Sequence, residues 1–256
     1  MIILDELYHA KQLLKDGLQT SYPKLKDIII IAKYLAYIGE GKKDIYNKLY
    51  EICLETDKNF NLAINGWKIK KAINSTNLYR LRTPFPVTIT KDEIEAIQYF
   101  PDYNYQKVLF VLLVYAKFLK YADTKISPSK RPRVIGEFFV NERFNNIVKV
   151  ARVTITKQKR NDMLHKFYLE GYIDGTVYNS IVVKYVKEKG DIEIIVTDLE
   201  NIVLHYQRYC GERVAGCECG QLFLKRSNRH KMCRNCWKER RKTIQKEYEK
   251  RKNTDV

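Results

Sequence analysis

A chain of 256 residues, 45% of them apolar, has enough non-polar material for one large domain or two to three small ones. Its formal charge of +17 and pI near 9.5 are extreme for an ordinary enzyme; they favour polyanionic partners, with nucleic acid ahead of an anionic membrane or an acidic protein. No apolar run approaches the roughly 20 residues that a bilayer span needs, and the start Met1-Ile2-Ile3-Leu4 meets charged Asp5 and Glu6 too early for a secretory signal, so no membrane partner is expected.

The first eighty residues read as helices. Leu4, Leu7, Tyr8 and Leu14 mark one apolar face; Pro23 opens a second segment that runs through Ile38 and is closed by Gly39 and Gly41. Ile45, Leu49, Ile52 and Cys53 line a third, and Asn61 caps a fourth containing Ile64, Trp67 and Ile73, with Trp67 expected as a core anchor. Leu78 to Val87, with Pro84 and Pro86, cannot continue a helix and reads as a linker. Thr90-Lys91-Asp92-Glu93 has capping-box form, and a longer helix follows in which Val108, Leu109, Leu112, Tyr115, Ala116 and Leu119 recur at helical spacing. Asp123 to Gly136 reads as an irregular connector whose Lys125, Lys130, Arg131 and Arg133 either face water or meet phosphate.

From Glu137 the pattern changes. Phe138 to Val140 suits a short strand, Glu142 to Val150 a helix, and Thr154 or Thr156 caps a second helix that Gly171 ends. Tyr172-Ile173 resumes as a strand, and a β-hairpin is expected with arms Tyr178 to Val186 and Ile192 to Val196 around the tip Lys187 to Asp191. This is the order of a winged helix-turn-helix. Met163, Leu164 and Phe167 face inward on the second helix, while Lys157, Gln158, Lys159, Arg160 and Asn161 crowd its first turns, where a recognition helix meets the major groove. Arg and Lys donate to guanine, Gln and Asn pair with adenine, and Lys184, Lys187 and Lys189 on the wing suit backbone phosphates. A winged helix used for protein contacts alone is the competing reading.

Cys217-Glu218-Cys219-Gly220 and Cys233-Arg234-Asn235-Cys236 are separated so that two tight turns bring four thiolates around one tetrahedral zinc ion. Such a shell leaves no open position for catalysis. The first pair has one intervening residue rather than the usual two, which leaves Cys210 and His230 as substitutes to consider. From Arg213 to Lys252 there are fourteen Lys and Arg against four Glu, so the basic excess concentrates at this end. After Cys236 a helix is expected, with Trp237, Ile244 and Tyr248 on a narrow stripe. Its cations Lys238, Arg240, Arg241 and Lys242, together with Arg226, Arg229, Lys231 and Arg234 nearer the cysteines, are candidate nucleic-acid contacts.

The expected fold class is mainly α: a helical N-terminal domain (1–80), a winged helix-turn-helix with a small β-hairpin wing (87–209), and a four-cysteine zinc ribbon or knuckle with a basic C-terminal helix (210–256). The stretch Pro86 to Ile94, the segment Tyr209-Cys210-Gly211-Glu212, and Cys219-Gly220 leading through Asn228-Arg229-His230-Lys231 to Cys236 resemble a family of uncharacterised phage and mobile-element proteins of low-GC Gram-positive bacteria. That resemblance implies the same winged-helix and zinc-ribbon architecture, with no established activity. It also implies a first pair spaced C-x-x-C, from which Cys217 and Cys219 depart. The abundance of Lys, Ile, Asn and Tyr, all encoded by AT-rich codons, agrees with such a source, and the cytoplasm of a bacterial host is the expected location.

The leading expectation is a non-enzymatic protein that binds nucleic acid, duplex DNA ahead of RNA, in transcriptional or replicative control. The alternative is a protein-binding inhibitor or adaptor of a host nucleic-acid machine, such as RNA polymerase or a CRISPR effector. A nuclease with the zinc as scaffold is disfavoured, because no His or carboxylate group is arranged beside the cysteines.

Overall fold

The structure is a computed structural model that describes residues 2–122, 138–175 and 180–254. The basic connector expected over 123–136 lies outside the described residues. Among those described there are ten α-helices and seven short β-strands, every paired strand antiparallel where its register is defined. No described helix is long and apolar enough to cross a membrane. The chain divides into two compact units, one of residues 1–85 and 116–139, the other of residues 86–115 and 140–256.

The first unit contains the four N-terminal helices, α1 (Glu6–Asp16), α2 (Leu25–Tyr37), α3 (Lys42–Thr56) and α4 (Leu62–Thr76). Asp5 caps α1 by accepting from the Tyr8 N–H at 2.8 Å, and Asn61 caps α4 through the Ala63 N–H at 2.8 Å, which starts each helix where its apolar periodicity begins. Ile28, Ile31 and Leu35 of α2 pack with Ile45, Leu49 and Cys53 of α3 and with Ile69 and Ala72 of α4. Trp67 stands outside this core. It is half exposed with the Lys71 ammonium over its ring at 5.9 Å, because Gly66, Ile69 and Ala72 occupy the inward face of α4. The segment that ends this unit is not helical, yet it is anchored: Leu81 is buried, and the Arg82 N–H donates to the buried Glu6 carboxylate, which also pairs with Lys33 at 2.9 Å.

The second unit opens with β1 (Val87–Thr90) and α5 (Lys91–Gln98). Their junction is the capping box expected from sequence: the Thr90 N–H donates to Glu93 Oε2 at 2.8 Å, and Thr90 Oγ1 accepts from the Glu93 N–H at 3.4 Å. α6 (Tyr103–Tyr121) follows, its residues from 116 onward counted with the first unit, as are the first two of β2 (Phe138–Val140); α7 (Phe144–Val150) and α8 (Lys157–Leu169) come next. Thr156 is the residue that caps α8, its Oγ1 accepting from the Lys159 N–H at 3.3 Å. Gly171 ends the helix with φ +73°; its N–H bonds to Tyr168 O and that of Tyr172 to Phe167 O, the paired bonds of a Schellman motif. Met163 and Phe167 are buried, with the Phe167 ring packed edge-on against Phe100, Tyr105 and Phe144.

The strand pairing differs from the expected hairpin. β3 (Ile173–Gly175) pairs with β4 (Ile181–Val183), in a sheet of order β2-β4-β3, whereas β5 (Ile192–Val196) leaves this sheet and pairs with β1. Lys187 to Asp191 is therefore not a wing tip but the crossing between two sheets. Two contacts hold it there: the Lys187 N–H donates to the buried Glu93 carboxylate at 2.8 Å, and the Lys91 N–H donates to Asp191 O at 2.8 Å. Burial explains the choice. Val182, Val183 and Tyr185 are all buried, so the chain is held to the core as far as Tyr185 before the exposed crossing, and Ile194 and Val196 turn inward on β5, where Val87 and Ile89 of β1 also face the interior.

The unit closes with α9 (Ile202–Tyr209), the hairpin β6 (Val214–Gly216) and β7 (Leu222–Leu224), and α10 (Arg234–Thr254).

Candidate metal centre and basic surfaces

Each pair of cysteines sits at a backbone reversal. β6 ends at Gly216, and the Cys217 N–H donates to Gln221 O while the Gly220 N–H donates to Cys217 O, both at 2.9 Å. Gly220 has φ +87°, a left-handed conformation that other residues resist, and this tight turn is how a pair with one intervening residue still points both sulfurs the same way. Cys233 precedes α10. Its carbonyl accepts from the Trp237 N–H at 3.0 Å, its Sγ accepts from the Cys236 N–H at 3.5 Å, and Cys236 lies on the first turn of the helix.

The four sulfurs of Cys217, Cys219, Cys233 and Cys236 all lie within 4.8 Å of one another, with Cys219 and Cys233 at 3.6 Å. A tetrahedron of sulfurs about 2.3 Å from a central zinc has edges of about 3.8 Å, so the group can hold a metal ion after small adjustments. Cys217 and Cys233 are buried, and around them only Phe223, Ala215, Met232 and Cys236 form the local apolar cluster. A core of that size does not fold a segment by itself, which is the situation in which a metal cross-link supplies the missing free energy. Burial raises the Cys217 thiol, but hydrogen bonds from the Cys219 and Cys233 backbone, together with those of the Cys219 and Cys236 side chains, hold the group down to about 7. Burial raises Cys219, and the three neighbouring sulfurs raise Cys236, so full deprotonation of the group calls for a cation at its centre.

His230 and Cys210 do not join the group. The His230 Nδ1 accepts from the Arg226 N–H at 3.3 Å and its ring packs on Phe223 at 4.8 Å between centroids. Cys210 caps α9 at its C-terminus, next to Gly211 with φ +84°.

Two carboxylates whose role the sequence pattern did not reveal tie this hairpin to the rest of the unit. Asp198 is buried before α9; its Oδ1 accepts from the Glu200 and Asn201 N–H groups, and its Oδ2 from Asn201 Nδ2 at 3.0 Å and from the Leu222 N–H of β7 at 2.6 Å. Glu212 accepts from the Tyr103 hydroxyl at 2.5 Å and from Gln207 Nε2 at 2.8 Å. An Asp shortly before the apolar run Ile202-Val203-Leu204 was the available signal for both α9 and its anchor.

The cationic candidates fall into three groups. On α8, Lys157, Gln158, Lys159 and Asn161 are exposed, while Arg160 is partly covered and donates to Asn145 Oδ1 at 3.0 Å. Those expected on the wing separate: Lys184 follows β4 and lies 3.9 Å from Asp174, whereas Lys187 and Lys189 are exposed on the crossing toward β5. Around the cysteines, Arg226, Arg229, Lys231 and Arg234 are all exposed. From Arg234 to Glu249 every residue of α10 is exposed except Cys236, which is intermediate; this includes Lys238, Arg240, Arg241 and Lys242 and the apolar Trp237, Ile244 and Tyr248. The Arg241 guanidinium lies over the Trp237 ring at 5.4 Å, and Lys242 is 3.8 Å from Glu239. Comparison of the chain with protein-family models, curated proteins and solved structures finds no match in any of the three.

Proposed function

We propose that this protein binds nucleic acid, duplex DNA ahead of RNA, through a winged helix-turn-helix and a zinc-organised basic helix. The observation that carries the reading is α10: a helix of 21 residues, anchored at one end by Cys236 and exposed along its described side chains, with cations on all sides. A helix without a buried face draws its stability from elsewhere, and beyond local contacts such as Arg241 over Trp237 and Lys242 beside Glu239 its described cations stand toward solvent. The winged-helix reading is supported by the order α7, α8, β3, β4, by the β2-β4-β3 sheet beside them, and by the exposed Lys157, Gln158, Lys159 and Asn161 at the start of α8. Zinc is the metal proposed for the four sulfurs, since a closed tetrahedral all-thiolate set suits a structural zinc ion, with iron the other common ion that such a set holds. A regulatory role in transcription or replication fits a protein with these parts.

The test is a mobility shift of the zinc-loaded chain with duplex DNA and with single-stranded RNA at fixed salt. Affinity for every duplex weaker than about 0.1 mM, outside the ordinary nonspecific range, sinks the proposal.

A second reading, an inhibitor or adaptor that docks on a host nucleic-acid machine, draws on the exposed Trp237, Ile244 and Tyr248. Under that reading a protein partner stays bound after nuclease treatment of the lysate, and alanine at these three positions releases it.

A further inference from the structure

One cleft of the second unit brings the helix pair and the cysteine hairpin together. It encloses about 410 Å³ between the α7–α8 turn, the start of α9, strand β7 and the first turn of α10. Its polar lining includes Arg152, Glu200, Asn201, Arg226, Arg234 and Asn235, beside the apolar Leu222 and Phe223. Three exposed arginines line it, from the α7–α8 turn, the loop after β7 and the start of α10.

Arg152 is the only non-glycine residue with positive φ among those described, at +54°. A small or flexible residue would hold that turn with less strain, so the side chain has a use that outweighs the backbone cost. Its Nη2 donates to Asn201 Oδ1 at 2.7 Å, which fixes one edge of the guanidinium beside another residue of the cleft. Burial lowers its pKa from the ordinary value and Asp198 pulls it back, so the guanidinium is partly desolvated yet charged. Neither Arg226 nor Arg234 pairs with a carboxylate among the described residues, and Arg234 opens α10, where backbone N–H groups lack helical partners. The one carboxylate in the lining, Glu200, accepts from Gln221 Nε2 at 2.7 Å.

We infer that this cleft is a phosphate site, in which Arg152, Arg226 and Arg234 grip one phosphodiester of the bound duplex and thereby lock the metal hairpin to the helix pair on the nucleic acid. The inference rests on the nucleic-acid reading above. A fork of guanidiniums from different elements suits a phosphate, whose oxygens each accept two or more hydrogen bonds, better than a carboxylate or a neutral ligand. A bound metal gains a purpose as well, because it would join the hairpin that leads into Arg226 to the first turn of α10, which carries Arg234, and so would hold those two sides of the cleft together. The competing use of these arginines is to offset the sulfurs, because Cys233 also lines the cleft and four thiolates around a divalent ion leave a net negative charge.

The test uses the zinc-loaded full chain. Inorganic phosphate is titrated while arginine side-chain N–H signals are followed by NMR, and in parallel a short mixed-sequence duplex is bound at several salt concentrations. Saturable shifts are expected at Arg152, Arg226 and Arg234, and they are lost in the Arg226→Gln/Arg234→Gln double variant. That variant also shows a log-log salt slope shallower by about 0.9, the contribution of one phosphate. Arg152→Gly, which relaxes the turn, is expected to keep or raise the melting temperature while losing the shifts. A double variant that binds zinc more weakly but keeps the phosphate shifts and the slope overturns the inference and assigns the arginines to the sulfurs. If the parent binds no duplex, the nucleic-acid reading fails by itself; saturable phosphate shifts then sustain the cleft and their absence removes it.

Discussion

Replacing Asp198 by Asn probes how the cysteine hairpin is joined to the rest of its unit. The carboxylate is buried and accepts four hydrogen bonds, two on each oxygen. Asparagine has the same shape but one acceptor oxygen. Whichever way its amide turns, an NH2 group faces two donors: the Glu200 and Asn201 N–H groups on one side, or Asn201 Nδ2 and the Leu222 N–H on the other. Hydrogen bonds to a charged group contribute about 1.5–3 kcal/mol each and an orphaned buried N–H costs about 1–3 kcal/mol, so with partial relaxation the loss is about 2–4 kcal/mol. Amide hydrogen exchange of the zinc-loaded chain reads this locally: at Leu222 and Asn201 it is expected to accelerate about 30- to 800-fold, at 1.4 kcal/mol per decade. Zinc stoichiometry should not change, because Asp198 bonds to Glu200, Asn201 and Leu222 and not to the cysteines themselves. An Asp198→Asn chain whose Leu222 amide exchanges at the parental rate would refute the assignment of Asp198 as the strut.

Other outcomes follow from the same geometry. Cys233→Ser, which removes a buried member of the sulfur group, is expected to abolish stoichiometric zinc by metal analysis, and chelation of the parent should expose the amides of β6 and β7 in the same way. Lys157→Gln/Lys159→Gln alters two exposed side chains of α8, so it should leave the melting temperature unchanged and weaken duplex binding, with a salt slope shallower by up to about 1.8. His205 accepts from the Asp198 N–H at 3.2 Å, and burial lowers its pKa from 6.5 to about 4 against the pull of Asp198. The unfolded chain therefore takes up this proton first as pH falls, so the contribution is full above pH 6.5 and disappears between there and about pH 4. Allowing for partial exposure, it amounts to about 2 kcal/mol. His205→Gln keeps an acceptor without the titration, and its chemical-denaturation stability should fall less steeply than the parent's from pH 6.5 to pH 5.

The parts legible in the sequence are those whose physics is local. A Thr and a Glu three residues apart make the capping box at α5 whatever surrounds them, Gly171 can take the left-handed conformation that closes α8, and the spacing of Cys217, Cys219, Cys233 and Cys236 requires two tight turns before any tertiary contact forms. Tertiary structure decided the rest. The residues Ile192 to Val196 are equally suited to a neighbouring strand or a distant one, and they pair with Val87 to Thr90, about a hundred positions away, because Glu93 and Lys91 hold the crossing segment against α5. Trp67 lies on a helix whose apolar residues are too many for one face, and only the packing of α2 and α3 chose Ile69 and Ala72 for the interior. The cleft of Arg152, Arg226 and Arg234 was invisible for the same reason: local preference acts over a few residues, whereas convergence of like charges from distant positions is set by the fold that carries them.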